Sequence, residues 1–163
     1  MSAKHVYLDS SSIVKRYVEE KGSGIVDRTY DVAEAGSLKI HFSIWNVGEV
    51  LGTLDRYLMR NILAEDDFRT SVSDFLSESI KLGKLGSLRV SPLAADVLTE
   101  AWLILLRQHV YEADALQIAT AKSLNCDVLL TADRSLVDAC RKESLASFDV
   151  ETDQQKIHQA IMS

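Results

Sequence analysis

At 163 residues, 47% apolar and 26% charged, the chain has a globular composition and the length of one domain that buries about two-thirds of its unfolded surface. That composition excludes the disordered, collagen-like and coiled-coil classes. The formal charge of −6 argues against a protein that grips nucleic acid along a wide basic surface, because such binding needs phosphates neutralised by Lys and Arg.

No apolar run exceeds Ala101 to Leu106 by much, far short of the roughly 20 residues needed to cross a bilayer. Met1 to Asp9 lacks the charged, apolar and small-residue succession of a signal peptide, so a cytoplasmic location without membrane association is expected. Cys126 and Cys140 form no CxxC pair and are too few for a disulfide scaffold or a cysteine-based zinc site. Core thiols are expected.

Lys4 to Asp9 (KHVYLD) is a strand-like run, followed by Ser10, Ser11 and Ser12, residue types favoured at helix N-caps, and by a helix over Ile13 to Glu20. Gly22 to Gly24 interrupt it, and Ile25 to Ala35 resumes a helical pattern that Gly36 can cap. Leu38 to Phe42 reads as a second strand. Ile44, Val47, Leu51, Leu54 and Leu58 then recur at helical spacing, giving a long amphipathic helix to about Arg60. A further helix is expected over Ala64 to Leu82 and a short strand over Leu85 to Val90, with Pro92 in the first turn of a helix over Leu93 to Gln108.

Tyr111 to Leu124 is Ala-rich and helical, whereas Cys126 to Leu130 (CDVLL) is the continuous apolar run of a strand covered on both faces. Asp133 to Cys140 is predicted as a helix, Leu145 to Val150 as a final strand, and Glu151 to Ser163 as a polar tail of uncertain order. Alternating strands and helices predict an α/β three-layer sandwich around a mostly parallel sheet, with function at the carboxyl ends of its strands. Residues 1–150 are expected to form its single domain, with 151–163 as the tail.

Four carboxylates draw attention. Asp9 and Asp133 each follow a predicted strand and precede a helix, where an acid serves equally well as a cap, Thr131 competing with Asp133 for that role. Asp114 interrupts an otherwise small and apolar helix; something must satisfy it there, or the dipole of the helix's first turn must. Glu49 points away from the Leu51, Leu54 and Leu58 stripe, which makes solvent its default partner, although Gly48 and Gly52 suit its face to close packing.

An acid ending the first strand, one in a middle helix, one opening an Ala-rich helix and one after the next strand resemble the PIN-domain nuclease family. The likeness rests on LDSSS at Leu8 to Ser12, NVGEVLGTL at Asn46 to Leu54, EADALQIATA at Glu112 to Ala121 and LLTAD at Leu129 to Asp133, and it spans nearly the whole chain. It implies that Asp9, Glu49, Asp114 and Asp133 form an acidic metal-binding and catalytic set, with Thr131 and Ser11 or Ser12 as polar supports. The chain departs from relatives after Asp133, where Arg134, Ser135 and Leu136 supply no second acid and no aromatic.

Converging carboxylates repel one another unless a cation sits among them, and hard oxygen donors favour Mg²⁺ or Mn²⁺. Zinc fits poorly, because His5, His41, His109 and His158 show no HxxxH spacing and read as strand-end, loop or tail residues. With the four acids set aside, the remaining acids and bases nearly balance, so the negative total does not exclude a nuclease.

The resemblance further implies endonucleolytic cutting of single-stranded RNA by metal-activated water, in a VapC-type toxin with a separate antitoxin and a homodimer. The helical portion from Ile62 to Gln108 is the candidate interface, and Arg16, Lys122 and Arg134 are candidate phosphate contacts. An RNA-processing PIN nuclease without antitoxin, or an inactive PIN-like module binding RNA or protein, are the alternatives. A haloacid-dehalogenase-like phosphatase is disfavoured because position 11 is Ser where a second acid is needed.

Overall fold

A computed structural model describes residues 3–161. Met1 and Ser2, and the last two positions of the expected tail, lie outside the described residues. Among the described residues five strands form one sheet in the order β3-β2-β1-β4-β5, with every pairing parallel. They are β1 (Lys4–Leu8), β2 (Leu38–Ser43), β3 (Leu88–Ser91), β4 (Val128–Thr131) and β5 (Ser147–Asp149). Successive strand residues point to opposite faces, yet Val6, Tyr7 and Leu8 of β1 are all fully buried, as are Leu129 and Leu130 of β4. The central strands are therefore covered on both faces, which makes the sheet the middle layer of a three-layer α/β sandwich.

Among the described residues eight helices connect and cover the strands: α1 (Ser10–Val14), α2 (Ser23–Glu34), α3 (Ile44–Met59), α4 (Glu65–Leu85), α5 (Ala95–Gln108), α6 (Glu112–Ser123), α7 (Arg134–Lys142) and α8 (Gln154–Ile161). In α6 every residue from Ala115 to Ala121 is buried, because small side chains let this helix lie close to α5, β2 and β4 at once. The phenol rings of Tyr17 and Tyr30 and the ring of Phe75 join edge to face in the core beside α2 and α4. Cys126 and Cys140 are free, buried thiols, as their spacing predicts.

Several boundaries differ from the sequence expectation. The first helix starts at Ser10 and stops at Val14, so the cap is Asp9 and not one of the serines: its carboxylate accepts the Ser12 N–H at 3.0 Å. Beyond Val14 the chain turns so that Lys15 can bury its stem and meet Glu20 at 3.1 Å and Glu151 at 2.8 Å. Pro92 lies three positions before the start of α5, and its ring holds Ser91 extended as the last residue of β3. Residues 154–161 of the expected tail form α8, which places Ile157 and Ile161 in the core against α2 and β5. Gly22, at φ +93°, lets this region close, since a Cβ there would come within 2.9 Å of the Val150 carbonyl.

Parallel strands put all their carboxyl ends on one edge, and the chain winds outward from β1 through β2 to β3 and then crosses back to β4 on the other side of β1, so the winding reverses between β1 and β4. The crevice of such a sheet lies at that switch point. Asp9 follows β1 there, its N–H bonded to the Leu130 carbonyl at 3.1 Å, and Thr131 ends β4 beside it.

Candidate active site

Asp9 is 5% exposed, so burial pushes its carboxyl up to about 6 against the pull of the hydroxyl and N–H groups aimed at it. Ser11 Oγ donates to it at 2.8 Å and Thr131 Oγ1 at 2.8 Å, besides the Ser12 N–H. Ser11 Oγ also accepts the Ala132 N–H at 2.9 Å, and Thr131 Oγ1 accepts the Asp133 N–H at 2.9 Å. Asp9 is thus pinned in one rotamer by hydroxyls that are pinned themselves. Ser12 acts through its main chain; its buried Oγ has no hydrogen-bond partner among the described residues.

Glu49 is held from α1. Ser10 Oγ donates to Glu49 Oε2 and accepts from Asn46 Nδ2 at 3.0 Å. The fully buried Asn46 is the hub of this network: its Nδ2 also donates to Gln117 Oε1 at 2.8 Å, and its Oδ1 accepts from Tyr7 Oη at 2.6 Å and the Ser43 N–H at 2.9 Å. β1, α1, α3 and α6 are joined through one amide. The sequence reading passed over Ser10, Asn46 and Gln117 as site residues. The available signal was a polar side chain on the buried face of α3, three residues after the Ser43 cap and three before Glu49.

Asp114 sits in the first turn of α6, half-buried, and its carboxylate makes no hydrogen bond among the described residues. Burial raises its carboxyl to about 6, and the charges of Asp133, Asp9 and Glu49 raise it in the same direction. Asp9, Glu49 and Asp114 line one open cavity of about 760 Å³.

Asp133 stands outside that lining. It is exposed and caps α7, accepting the Ser135 N–H at 2.8 Å and Ser135 Oγ at 2.7 Å. It reaches the others through its charge on Asp114.

A hard cation suits this donor set, which is all oxygen, mutually repelling, and includes a half-buried carboxylate with no partner. Among the described residues no three His, Cys, Asp or Glu side chains are close enough to chelate an ion as they stand. The histidines offer no zinc site either. His5 and His41 lie within β1 and β2, not at loops, and stack on each other with Nε2 of His41 3.0 Å from Nδ1 of His5.

Two of the expected phosphate contacts are already engaged. Arg16 is bonded to Glu78 at 2.8 Å and Asp27 at 3.0 Å, and Lys122 to Glu143 at 3.0 Å. Arg134 is exposed but lies outside the cavity.

The family model of the PIN domain matches residues 6–142. The fold is similar to that of VapC20 of Mycobacterium tuberculosis, a sarcin-ricin loop cleaving toxin, with TM-score 0.61 and 18% identity over 82% of this chain and 94% of that one. It is similar to PAE2754 of Pyrobaculum aerophilum, with TM-score 0.59 and 21% identity over 97% and 99% of the two chains. FitAB bound to the IR36 DNA fragment gives TM-score 0.64 and 18% identity over 90% and 95%. No curated protein sequence matches the chain significantly.

Proposed function

The chain belongs to the PIN domain family, and from that premise we propose that it is a cytoplasmic, metal-dependent endoribonuclease that cuts single-stranded RNA, the toxin of a toxin–antitoxin pair. The observation that carries this reading is the meeting of Asp9, Glu49 and Asp114 on one cavity at the carboxyl edge of the sheet, with Asp9 and Asp114 both raised to about 6. Burial raises both, and at Asp114 the charges of Asp133, Asp9 and Glu49 add to it, a repulsion that a bound cation would relieve.

Asp9, Glu49, Asp114 and Asp133 would hold Mg²⁺ or Mn²⁺, which when bound supplies positive charge to the phosphate and an activated water for attack on phosphorus. The chain's own residues do the positioning. Ser11, Thr131 and the Ser12 N–H fix Asp9, and Ser10 with Asn46 orients Glu49. Asp114, without a bonded partner, is free to turn toward the ion. Asp133 has one oxygen committed to its helix cap and the other open.

The toxin role is supported by the shared fold of VapC20, and a DNA-binding antitoxin partner by that of FitAB on its DNA fragment. Trp102, Leu103 and Leu106 expose an apolar face of α5 suited to pairing two copies. Incubation with unstructured and duplex RNA tests the activity. Internal cutting of the unstructured strand in Mg²⁺ or Mn²⁺, lost in EDTA and in Asp114→Asn, is the expected result. Equal cutting by Asp114→Asn would overturn the assigned mechanism.

A further inference from the structure

The cavity that would receive RNA is hostile to a polyanion as the chain builds it. Its lining carries the carboxylates of Asp9, Glu20, Glu49, Asp114 and Glu151. A bound ion offsets charge only near the proposed cutting point, so the adjoining phosphates of a strand need cations from the protein. Two basic side chains line the cavity, Lys15 and Arg56. Lys15 is spent: its ammonium is shared by Glu20 and Glu151, and its side chain is 4% exposed.

Arg56 is in a different state. It is exposed, it makes no ion pair among the described residues, and its one side-chain hydrogen bond goes to a neutral acceptor, Thr53 Oγ1, at 2.8 Å. That bond folds the side chain back along α3 toward Gly52, where a Cβ would lie 3.5 Å from Nη1. The guanidinium is therefore drawn one turn of helix closer to Glu49 than its Cα, onto the face that Glu49 and Gly52 present to the cavity. None of the five carboxylates of that lining forms an ion pair with it, so it has not collapsed onto any of them.

We propose that Arg56 is the phosphate-binding residue of the acid cavity, seating a backbone phosphate of the single strand next to the one that is cut. This inference rests on the nuclease reading above and adds to it the residue that sets where the strand lies. The planar fork of the guanidinium suits two phosphate oxygens at once, and Thr53 holds it in place. The contact is to the backbone, so it positions RNA of any sequence and contributes affinity more than choice of base.

Binding of a short labelled unstructured RNA, followed by fluorescence anisotropy in Mn²⁺ across a series of salt concentrations, tests this in the Asp114→Asn background, where cutting is expected to be lost. Adding Arg56→Gln is expected to weaken binding on the order of tenfold and to reduce the slope of log affinity against log salt by about 0.7, the share of one single-strand phosphate contact. Arg56→Lys should recover most of the slope but less of the affinity, since it keeps the charge and loses the fork. In the otherwise wild-type enzyme, Arg56→Gln should raise KM with kcat little changed.

Arg60→Gln, at the C-cap that follows α3 and outside the cavity, serves as the comparison. An unchanged slope in Arg56→Gln, or an equal loss in Arg60→Gln, would overturn the assignment while leaving the nuclease reading intact. Failure of the wild type to cut or bind RNA in Mn²⁺ would overturn both.

Discussion

Thr131 Oγ1 donates to Asp9 Oδ2 at 2.8 Å while accepting the Asp133 N–H at 2.9 Å, so one hydroxyl ties the end of β1 to the end of β4 across 122 positions of sequence. Thr131→Val keeps the shape and removes both bonds from a fully buried position. The expected cost is about 1–3 kcal/mol, the price of leaving a buried polar group unpaired. Asp9 would also lose a donor that favours its charged form, so its carboxyl rises further and the acid side of the pH–activity profile moves to higher pH. Thr131→Ser should restore both properties. Urea unfolding and the pH profile check this, and an unmoved profile in Thr131→Val would refute the coupling.

The Asn46 hub makes a second prediction. Asn46→Ala leaves the Tyr7 hydroxyl and the Gln117 amide without their shared partner inside the protein, which should cost about 2–4 kcal/mol. Ser10→Ala is the milder test, since it releases Glu49 while sparing the other bonds of Asn46. It should lower kcat for RNA cutting with a small change in stability. A Ser10→Ala enzyme of full activity would show that Glu49 needs no such orientation.

Much of the fold was legible because its signals are local. The 3.6-residue period of α3, the Ala-rich run of α6 and the unbroken apolar run of β4 each specify their element directly, and the acid ending β1 falls at the sheet edge once alternation of strands and helices is recognised. What was not legible depends on distant partners. Just past the early stop of α1, Lys15 meets Glu151, a residue 136 positions away that no local pattern indicates. The polar look of residues 151–163 hid Ile157 and Ile161, whose i, i+4 spacing becomes meaningful only against α2 and β5. In the site, Asn46 reads as an interruption of an apolar face until Ser10, Tyr7 and Gln117 converge on it. Arg16 and Lys122 looked available because no local pattern shows Glu78 or Glu143 beside them.

Stability without metal should depend on pH in a way that identifies the buried groups. Asp9 and Asp114, raised to about 6, hold their protons more tightly folded than unfolded. Their contribution is present below about pH 4 and is lost as pH rises through 6. His41 acts oppositely: burial, then the neighbouring His5, push it down to about 4, so its contribution is present above pH 6.5 and lost as pH falls toward 4. Two groups outweigh one, and in EDTA the urea midpoint should fall from pH 4.5 to pH 6. His41→Phe, which keeps a ring stacked on His5, should steepen that fall. A midpoint that climbs over the window in both proteins would contradict the assignment of Asp9 and Asp114.

The central claim is that the acids at this sheet edge are gathered for a cation, and the thermal midpoint of wild type and Asp114→Asn, in EDTA and in millimolar Mg²⁺, tests it most directly. Removing the Asp114 charge relieves its repulsion with Asp133, Asp9 and Glu49. In EDTA the variant should therefore melt higher than wild type by on the order of 2–4 °C, the effect of about 1 kcal/mol on a domain of this size. Mg²⁺ that binds only the folded protein should raise the wild-type midpoint by mass action and barely move the variant. The predicted result is this reversal of order between the two conditions. An equal response of both proteins to Mg²⁺, with the variant no more stable in EDTA, would contradict the account.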